Sequence, residues 1–376
     1  MRETWLDLAP GTRVVVAMSG GVDSSVAAAL LVERGCEVIG ITMKNFCYAE
    51  VPEERAAAAC CSLEAIEDAR AVARRLGFAH HVLDFEGPFR EAVIDPFVTE
   101  YAAGRTPNPC VRCNRFVRFP QLWRKARLLD AEAVATGHYA RAVRNGEGGV
   151  TLRRAVDRAK DQTFYLWGLA PALLERAAFP LGGLTKEEVR ARARELGLEV
   201  AEKPESQDIC FIPDGDLRGF LETALAERPD LDGGARLRPG PIRSLEGDVV
   251  GEHPGSAFFT VGQRRGLGLA GLAEPHYVVA IEEENAVVVG TAQALEAQGL
   301  EAEDVHWLAP PDGDFRAQVQ IRYRSPAVHA RVFPGPDRTA RVEFELPQRA
   351  VAPGQSVVVY DGDRVLGGGT ITRSLP

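Results

Sequence analysis

Ser19-Gly20-Gly21-Val22-Asp23-Ser24-Ser25 stands between an apolar run, Val14-Val15-Val16-Ala17-Met18, and a helix-forming run from Val26 to Glu33. A strand, a glycine turn and a helix start in that order make an anion-binding loop. Adjacent glycines allow positive φ and close backbone approach, and the first N–H groups of a helix opened by Ser24 and Ser25 have no intrahelical acceptor. The loop carries no lysine, so it is not the Gly-x-x-x-x-Gly-Lys-Ser/Thr loop that cradles a transferring γ-phosphate. The plain alternative is a helix capped by Asp23 after a glycine turn.

Outward from this loop, strand and helix signals alternate over about the first two hundred residues, as in a doubly wound α/β sheet. Gly35 closes the first helix and Val38 to Met43 forms the next strand. Ser62 is placed to cap a helix whose apolar positions Leu63, Ile66, Ala69, Ala73 and Leu76 recur at helical spacing; Gly77 ends it before the strand His81-Val82-Leu83. Ala133 to Thr136 reads as a further buried strand, with Gly137 and His138 just past its carboxyl end, where parallel sheets bind ligands. After about Pro204 the rhythm breaks, and Gly233 to Pro275 is rich in glycine and proline with short apolar runs. A hairpin, Tyr277 to Ile281 and Ala286 to Val289, is followed by Ala317 to Ile321, Ala340 to Phe344 and Val357 to Tyr360; together these look like a small β-barrel. The expected division is 1–207 for the nucleotide domain, 208–292 for a small mixed or β central domain, and 293–376 for the barrel.

The length of 376 residues suits two or three cores, and 45% apolar with 26% charged residues is an ordinary globular composition. No stretch reaches the length of a membrane span, Met1 to Asp7 lacks an apolar signal core, and the seven cysteines lack secretory pairing, so a cytoplasmic enzyme with no membrane partner is expected. Net charge is −9, which by itself argues against nucleic acid. Its distribution argues the other way. Arg105, Arg112, Arg115, Arg118, Arg124, Lys125 and Arg127 occur with no acidic residue among them, and Arg141, Arg144, Arg153, Arg154, Arg158 and Lys160 follow, diluted by Glu147 and Asp157, while acid gathers at Glu282 to Glu284. These stretches make either a phosphate-tracking face or a solvated arginine surface.

Thr106-Pro107-Asn108-Pro109-Cys110-Val111-Arg112-Cys113-Asn114 sets a C-x-x-C pair on a proline-stiffened loop. Three readings are open: half a zinc site, a redox or persulfide pair, or part of an iron–sulfur cluster. Zinc needs two more ligands, and Cys210 is the one further thiol in a suggestive setting. Arg112 and Arg115 flank Cys113, and nearby positive charge favours a thiolate. Cys36, Cys47, Cys60 and Cys61 read as structural, with adjacent Cys60 and Cys61 poorly placed to share one ion.

SGGVDSS resembles the PP-loop of ATP pyrophosphatases, which cut ATP between the α and β phosphates. In order along the chain, it is joined by Met43-Lys44-Asn45, Gly104 to Pro109 with Cys113-Asn114, Ala135 to Tyr139, Lys160-Asp161-Gln162, Ser206-Gln207-Asp208-Ile209-Cys210, Gly262-Gln263-Arg264, Arg322-Tyr323 and Gln355. With these motifs the chain is similar to the tRNA-specific 2-thiouridylase family. The resemblance implies an adenine-nucleotide α-hydrolase-like domain and an ATP-dependent sulfurtransferase acting on the wobble uridine of tRNAs for Lys, Glu and Gln. The uracil C2 oxygen would attack the α-phosphorus of ATP, with Mg2+ neutralising charge, and sulfur would then displace AMP.

By the same resemblance Cys113 is the nucleophile and Cys210 carries a persulfide supplied by a sulfur-relay protein or cysteine desulfurase, with a transient Cys113–Cys210 disulfide when the sulfur is spent. Cys110 replaces the aspartate of familiar members, so Cys110, Cys113 and Cys210 also make three corners of a possible [4Fe–4S] cluster, and both sulfur routes stay open. The nucleotide set implied is Ala17, Met18, Ser19, Gly20, Gly21, Val22, Asp23, Ser24, Met43 and Gly137. The tRNA set is Asn108, Pro109 and Cys110 around a flipped base, with His138, Lys160, Asp161, Gln162, Arg322, Tyr323 and Gln355 on the anticodon stem-loop. A small-metabolite synthetase on the same loop, or a non-catalytic RNA-binding protein, are the competing readings.

Overall fold

A computed structural model describes residues 8–46, 63–144, 149–204, 209–212, 215–228, 230–231, 233–269 and 274–376. The Ser62 cap, Cys47, Cys60, Cys61, Glu147 and Ser206-Gln207-Asp208 lie outside the described residues. The chain divides into two compact units, the first made of 1–93, 110–215 and 363–365, the second of 94–109, 216–362 and 366–376.

The first unit is built on a parallel sheet. Val14, Val15 and Val16 are β-branched and wholly buried, the composition of a strand covered on both faces. They form β1 (Arg13–Ala17), which pairs in parallel with β2 (Glu37–Lys44) on one side and β4 (Ala133–Ala135) on the other. With β3 (Ala79–Asp84) and β7 (Ala177–Ala178) the order is β3-β2-β1-β4-β7. The direction of winding reverses between β1 and β4, and at such a switch point the loops after the two strands part to leave a crevice. Helix α1 (Val22–Glu33) leaves β1 through the glycine turn, and its run of Ala27, Ala28 and Ala29 is buried, small enough to let the helix sit close against the sheet. Helix α2 (Leu63–Leu76) buries Ile66, Ala69 and Ala73 of the expected positions together with Ala65 and Val72, while Leu76 is half-buried and Leu63 is exposed at the helix start.

A hairpin of β5 (Ala140–Arg144) and β6 (Val150–Arg154) also belongs here, with Arg153 in register with Arg364. The sequence shows this segment only as a basic stretch. Much of that charge is used internally: Arg141 and Arg158 both pair with Asp363, and Arg154 lies 3.7 Å from Asp161.

In the second unit α3 (Asp95–Ala102) sets Phe97 against Phe220 of α6 (Leu217–Ala226), ring centroids 6.0 Å apart. Residues 94–109, expected within the nucleotide domain, therefore pack with later chain. A four-stranded sheet has the order β10-β11-β8-β9, from β8 (Gly240–Arg243), β9 (Val249–His253), β10 (Tyr277–Ile281) and β11 (Val287–Gly290). The hairpin that the sequence groups with the barrel strands is thus half of a separate sheet, held by pairing of Val287 with Ile242. The barrel itself has six strands: β12 (Glu296–Trp307), β13 (Phe315–Gln320), β14 (Val328–Pro334), β15 (Ala340–Arg349), β16 (Ser356–Asp361) and β17 (Arg364–Leu375), and it closes because β12 pairs with both β15 and β17. Leu300, Val319, Val332, Val342, Val359 and Ile371 fill it.

Gly20 has φ of +70°, and a Cβ there would lie 2.1 Å from the Ala65 carbonyl oxygen. Gly20→Ala is expected to cost more than the roughly 1–2 kcal/mol of a left-handed alanine alone. Gly87→Ala, where a Cβ meets open space, should stay within about 0.5 kcal/mol of the parent. Thermal or urea unfolding of the two variants checks the contrast.

Candidate active site

The turn after β1 is held by its own side chains. Met18 N–H donates to the Ile41 carbonyl at 2.8 Å and the Met18 carbonyl accepts from Thr42 Oγ1 at 2.8 Å, so the loop leaves the sheet in a fixed direction. Ser24 Oγ accepts from Ser19 N–H at 3.1 Å and donates to the Gly21 carbonyl, which Ser25 Oγ also reaches at 2.8 Å. Helix α1 starts at Val22 with Gly21 as its N-cap and no side-chain cap. Asp23 is therefore not the cap of the plain alternative, and the first turn of the helix keeps its N–H groups for a ligand.

A pocket opens in front of this turn. Ala17, Met18, Ser19, Asp23 and Ser24 supply one wall, Ile41, Met43 and Asn45 come from β2 and its end, and Thr136, Gly137 and His138 follow β4, with Arg118 and Gln162 completing the lining. Gly137 has a role the sequence does not show. A Cβ there would sit 2.8 Å from both Asp23 C and Ser24 N, so its bareness lets the end of β4 press on the first turn of α1.

The loop's missing lysine arrives from elsewhere. Helix α5 (Lys186–Glu195) starts in a capping box, in which Thr185 Oγ1 accepts from Glu188 N–H and Glu188 Oε2 from Thr185 N–H. That box fixes Lys186 as the first helical residue. Its Nζ, on a side chain only 11% exposed, reaches both carboxylate oxygens of Asp23 at 2.8 and 2.9 Å, and Tyr139 Oη donates to Asp23 Oδ1 at 2.8 Å. Among the described residues Asp23 is the one acidic side chain in the pocket lining, and the Lys186 ammonium offsets its charge.

The opposite wall is a hydrogen-bonded chain. Asn114, 1% exposed, donates to the Tyr165 carbonyl and accepts from Arg118 Nη1 at 2.9 Å. Arg118 also lies 3.4 Å from His138 Nε2, and His138 Nδ1 is 2.7 Å from Thr136 Oγ1. Desolvation among Phe119 and Phe179, and secondarily the Arg118 charge, push the His138 pKa down to about 3, so its ring is neutral at physiological pH. Asn114 and Arg118 both lie on a π-helical turn, Cys113–Arg118, which continues the short helix Pro109–Arg112. Cys113 is buried on that turn, three residues after an exposed Cys110.

The arginines beside Cys113 are turned onto other groups. Arg112 donates to the Ala92 carbonyl and its guanidinium lies 5.1 Å from the Phe116 ring, while Arg115 lies over Phe116 at 4.8 Å and Trp167 at 5.7 Å. Cys210 is half-buried, and its neighbour Phe211 packs edge-on against Phe89 at 5.8 Å. The turn Glu86–Phe89 that carries Phe89 also contacts Cys113–Arg118. Among the described residues no group of three or more His, Cys, Asp or Glu side chains is gathered to hold a metal ion. The possible iron–sulfur trio of Cys110, Cys113 and Cys210 is therefore not assembled as a ligand set, in keeping with one thiol facing solvent and another facing the interior.

Three family models match the chain in sequence: a tRNA methyl transferase HUP domain over residues 12–214, a tRNA methyl transferase PRC-barrel domain over 232–291, and an aminomethyltransferase beta-barrel domain over 297–371. The tRNA-specific 2-thiouridylase MnmA of Heliobacterium modesticaldum is 48% identical over 96% of this chain and 93% of its own. Its counterpart from Pelotomaculum thermopropionicum is 48% identical over 96% of this chain and 97% of its own, and that from Geobacter metallireducens 50% over 96% and 97%. The chain belongs to the tRNA-specific 2-thiouridylase family.

The residues that this family resemblance assigns to tRNA are of several kinds in the folded thiouridylase. His138 and Gln162 line the pocket, where Gln162 Oε1 is held by Tyr139 N–H at 2.9 Å. Asp161, between Lys160 and Gln162, is buried and accepts from Ala155 N–H and Thr163 Oγ1; burial raises its pKa, and its carboxylate secures a turn. Lys160 is half-buried, its N–H donating to Asp157. Asn108 and Pro109 belong to the second unit, as do Arg322, Tyr323 and Gln355. There Arg322 and Tyr323 stand in a turn after β13, not on a strand, with Arg324 at φ +65° and its guanidinium 5.4 Å from the Tyr323 ring. Gln355 Nε2 donates to the Thr106 carbonyl at 2.8 Å, and Thr106 N–H to the Pro353 carbonyl, so Gln355 braces the segment leading to Asn108.

Lys186→Met is expected to leave the Asp23 carboxylate without its cation and cost roughly 2 kcal/mol. Adding Asp23→Asn should recover part of that loss in a double-mutant cycle read by urea unfolding. Thr42 Oγ1, whose hydrogen goes to the Met18 carbonyl, accepts from His80 Nε2 at 2.8 Å, and burial, then Arg70, lowers the His80 pKa to about 4. Both His80 and His138 bind protons only in the unfolded chain between roughly pH 4 and 6.5, so stability falls as pH falls through that window. The thermal midpoint should drop between pH 7 and 5, and drop less in His80→Gln.

Proposed function

We propose that this thiouridylase replaces the C2 oxygen of the wobble uridine with sulfur in tRNAs for Lys, Glu and Gln, using ATP to make that oxygen a leaving group. The observation that carries this reading is the shared π-helical turn: Arg118 lines the pocket before the phosphate loop, and Cys113 lies on the same six-residue turn. ATP phosphates fit the open first turn of α1, and the uracil O2 attacks the α-phosphorus, releasing pyrophosphate. Asp23 is held by Lys186 and Tyr139, so a Mg2+ would be carried by the ATP phosphates themselves and would offset charge as the α–β bond breaks.

The terminal sulfur of a Cys210 persulfide then adds to C2 and AMP departs. The Cys113 thiolate attacks the Cys210 sulfur of the S–S link, leaving thiocarbonyl sulfur on the base and a Cys113–Cys210 disulfide that an external thiol reduces. A common neighbour, the turn carrying Phe89, supports the approach of the two cysteines. The ligand set for a cluster is not gathered, so no step is derived through iron. The exposed Arg124 and Arg127 of helix α4 (Phe119–Leu128), with Lys125, offer phosphate contacts beside the pocket wall. A sulfur-relay protein or cysteine desulfurase supplies the persulfide, and the expected compartment is the cytoplasm.

Pyrophosphate release from ATP should require cognate tRNA. Cys113→Ser and Cys210→Ser should each abolish thiolation, read as retardation of tRNA in an organomercury gel, while tRNA-dependent pyrophosphate release persists. Full thiolation by Cys113→Ser would contradict the role given to Cys113, and pyrophosphate release that needs no tRNA and is unchanged in Cys113→Ser would favour adenylation of a small metabolite. Stoichiometric iron in anaerobic protein, with thiolation lost in Cys110→Ala, would replace the persulfide route by a cluster.

A further inference from the structure

We propose that Asn45 reads the base of the nucleotide, its Oδ1 accepting a hydrogen bond from the 6-amino group of adenine and turning away 6-oxo purines. The inference rests on the nucleotide reading given above and adds a specificity residue to it.

Alternation along β2 sends its side chains to two sides. Thr42 faces away from the pocket toward His80 and the Met18 carbonyl, and Lys44 lies 3.7 Å from Glu86. Ile41, Met43 and, just past the strand, Asn45 face the pocket. Ile41 and Met43 are 0% and 8% exposed and present apolar surface suited to a flat ring. Asn45 is 7% exposed, and its Oδ1 has no hydrogen-bond partner among the described residues.

That sets it apart from the other polar side chains of the pocket. Ser19 is matched with Ser24, Thr136 with His138, Gln162 with Tyr139 and Asp23 with Lys186. A buried acceptor left open is costly unless a ligand donates to it. The phosphates are drawn to the α1 end of the pocket, which leaves the base for the β2 wall. At that wall the adenine 6-amino group is a donor, whereas hypoxanthine and guanine present a carbonyl oxygen to the same point. A site built on such a contact rejects the analogue that cannot make it.

The test is calorimetric binding of α,β-methylene-ATP and α,β-methylene-ITP without tRNA, so that only the nucleotide contributes. The parent protein should prefer the ATP analogue by about a hundredfold or more. Asn45→Ala should reduce that preference to within about threefold, chiefly by weakening the ATP analogue, while Asn45→Asp, which keeps an acceptor oxygen, should retain preference for it. Asn45→Leu keeps the volume and removes the acceptor, and its ratio decides the matter if Asn45→Ala does not fold. An unchanged ratio in the acceptor-free variant overturns this inference and leaves the nucleotide site standing. A parent protein that binds neither analogue overturns both.

Discussion

Parallel pairing of β1 with β2 on one side and β4 on the other is the constraint on which the site depends. It fixes where the winding reverses, and so where the loop after β1 and the segment after β4 must diverge. Gly137 then lets the end of β4 pack against the first turn of α1, closer than a residue with a Cβ permits, since a Cβ there would lie 2.8 Å from Asp23 C and Ser24 N. The open first turn of α1 and the side chains after β4 are thereby held a short distance apart, with the scaffold rather than flexible side chains setting the spacing.

The electrostatics follow from that geometry. A helix start without a side-chain cap attracts anions, yet the same turn carries a carboxylate at Asp23. Lys186 and Tyr139 resolve the conflict by holding that carboxylate. Across the pocket Arg118 contributes positive charge while His138 remains neutral, so the wall offers both a cation and a ring nitrogen. The turn that bears Arg118 also bears Cys113, which links the pocket proposed to hold ATP to the cysteine proposed for sulfur chemistry.

Much of this was legible in the sequence, because the relevant signals are local. The phosphate loop, the helix ending at Gly35, the strand reaching Met43 and the apolar periodicity of α2 all depend on neighbours within a dozen residues. The long strand β12 escaped notice since its inward positions include Ala297 and Ala302, and outward glutamates mask the alternation. Three consecutive glycines hide β17 in the same way. Lys186 was invisible as a loop partner because 163 residues separate it from Asp23, and nothing in the spacing of charges announces a contact at that range. Within the basic stretch from Arg141 to Lys160, the pairing of Arg141 and Arg158 with Asp363 is hidden for the same reason, since Asp363 lies far along the chain.

The central claim is that the uracil oxygen itself becomes esterified to AMP in this pocket, and isotopic transfer tests it most directly. With cognate tRNA carrying 18O at C2 of the wobble uridine, single-turnover thiolation followed by mass spectrometry of the nucleotide product should find the label in AMP, one atom per thiouridine formed. Unlabelled AMP accompanying full thiolation would contradict the account.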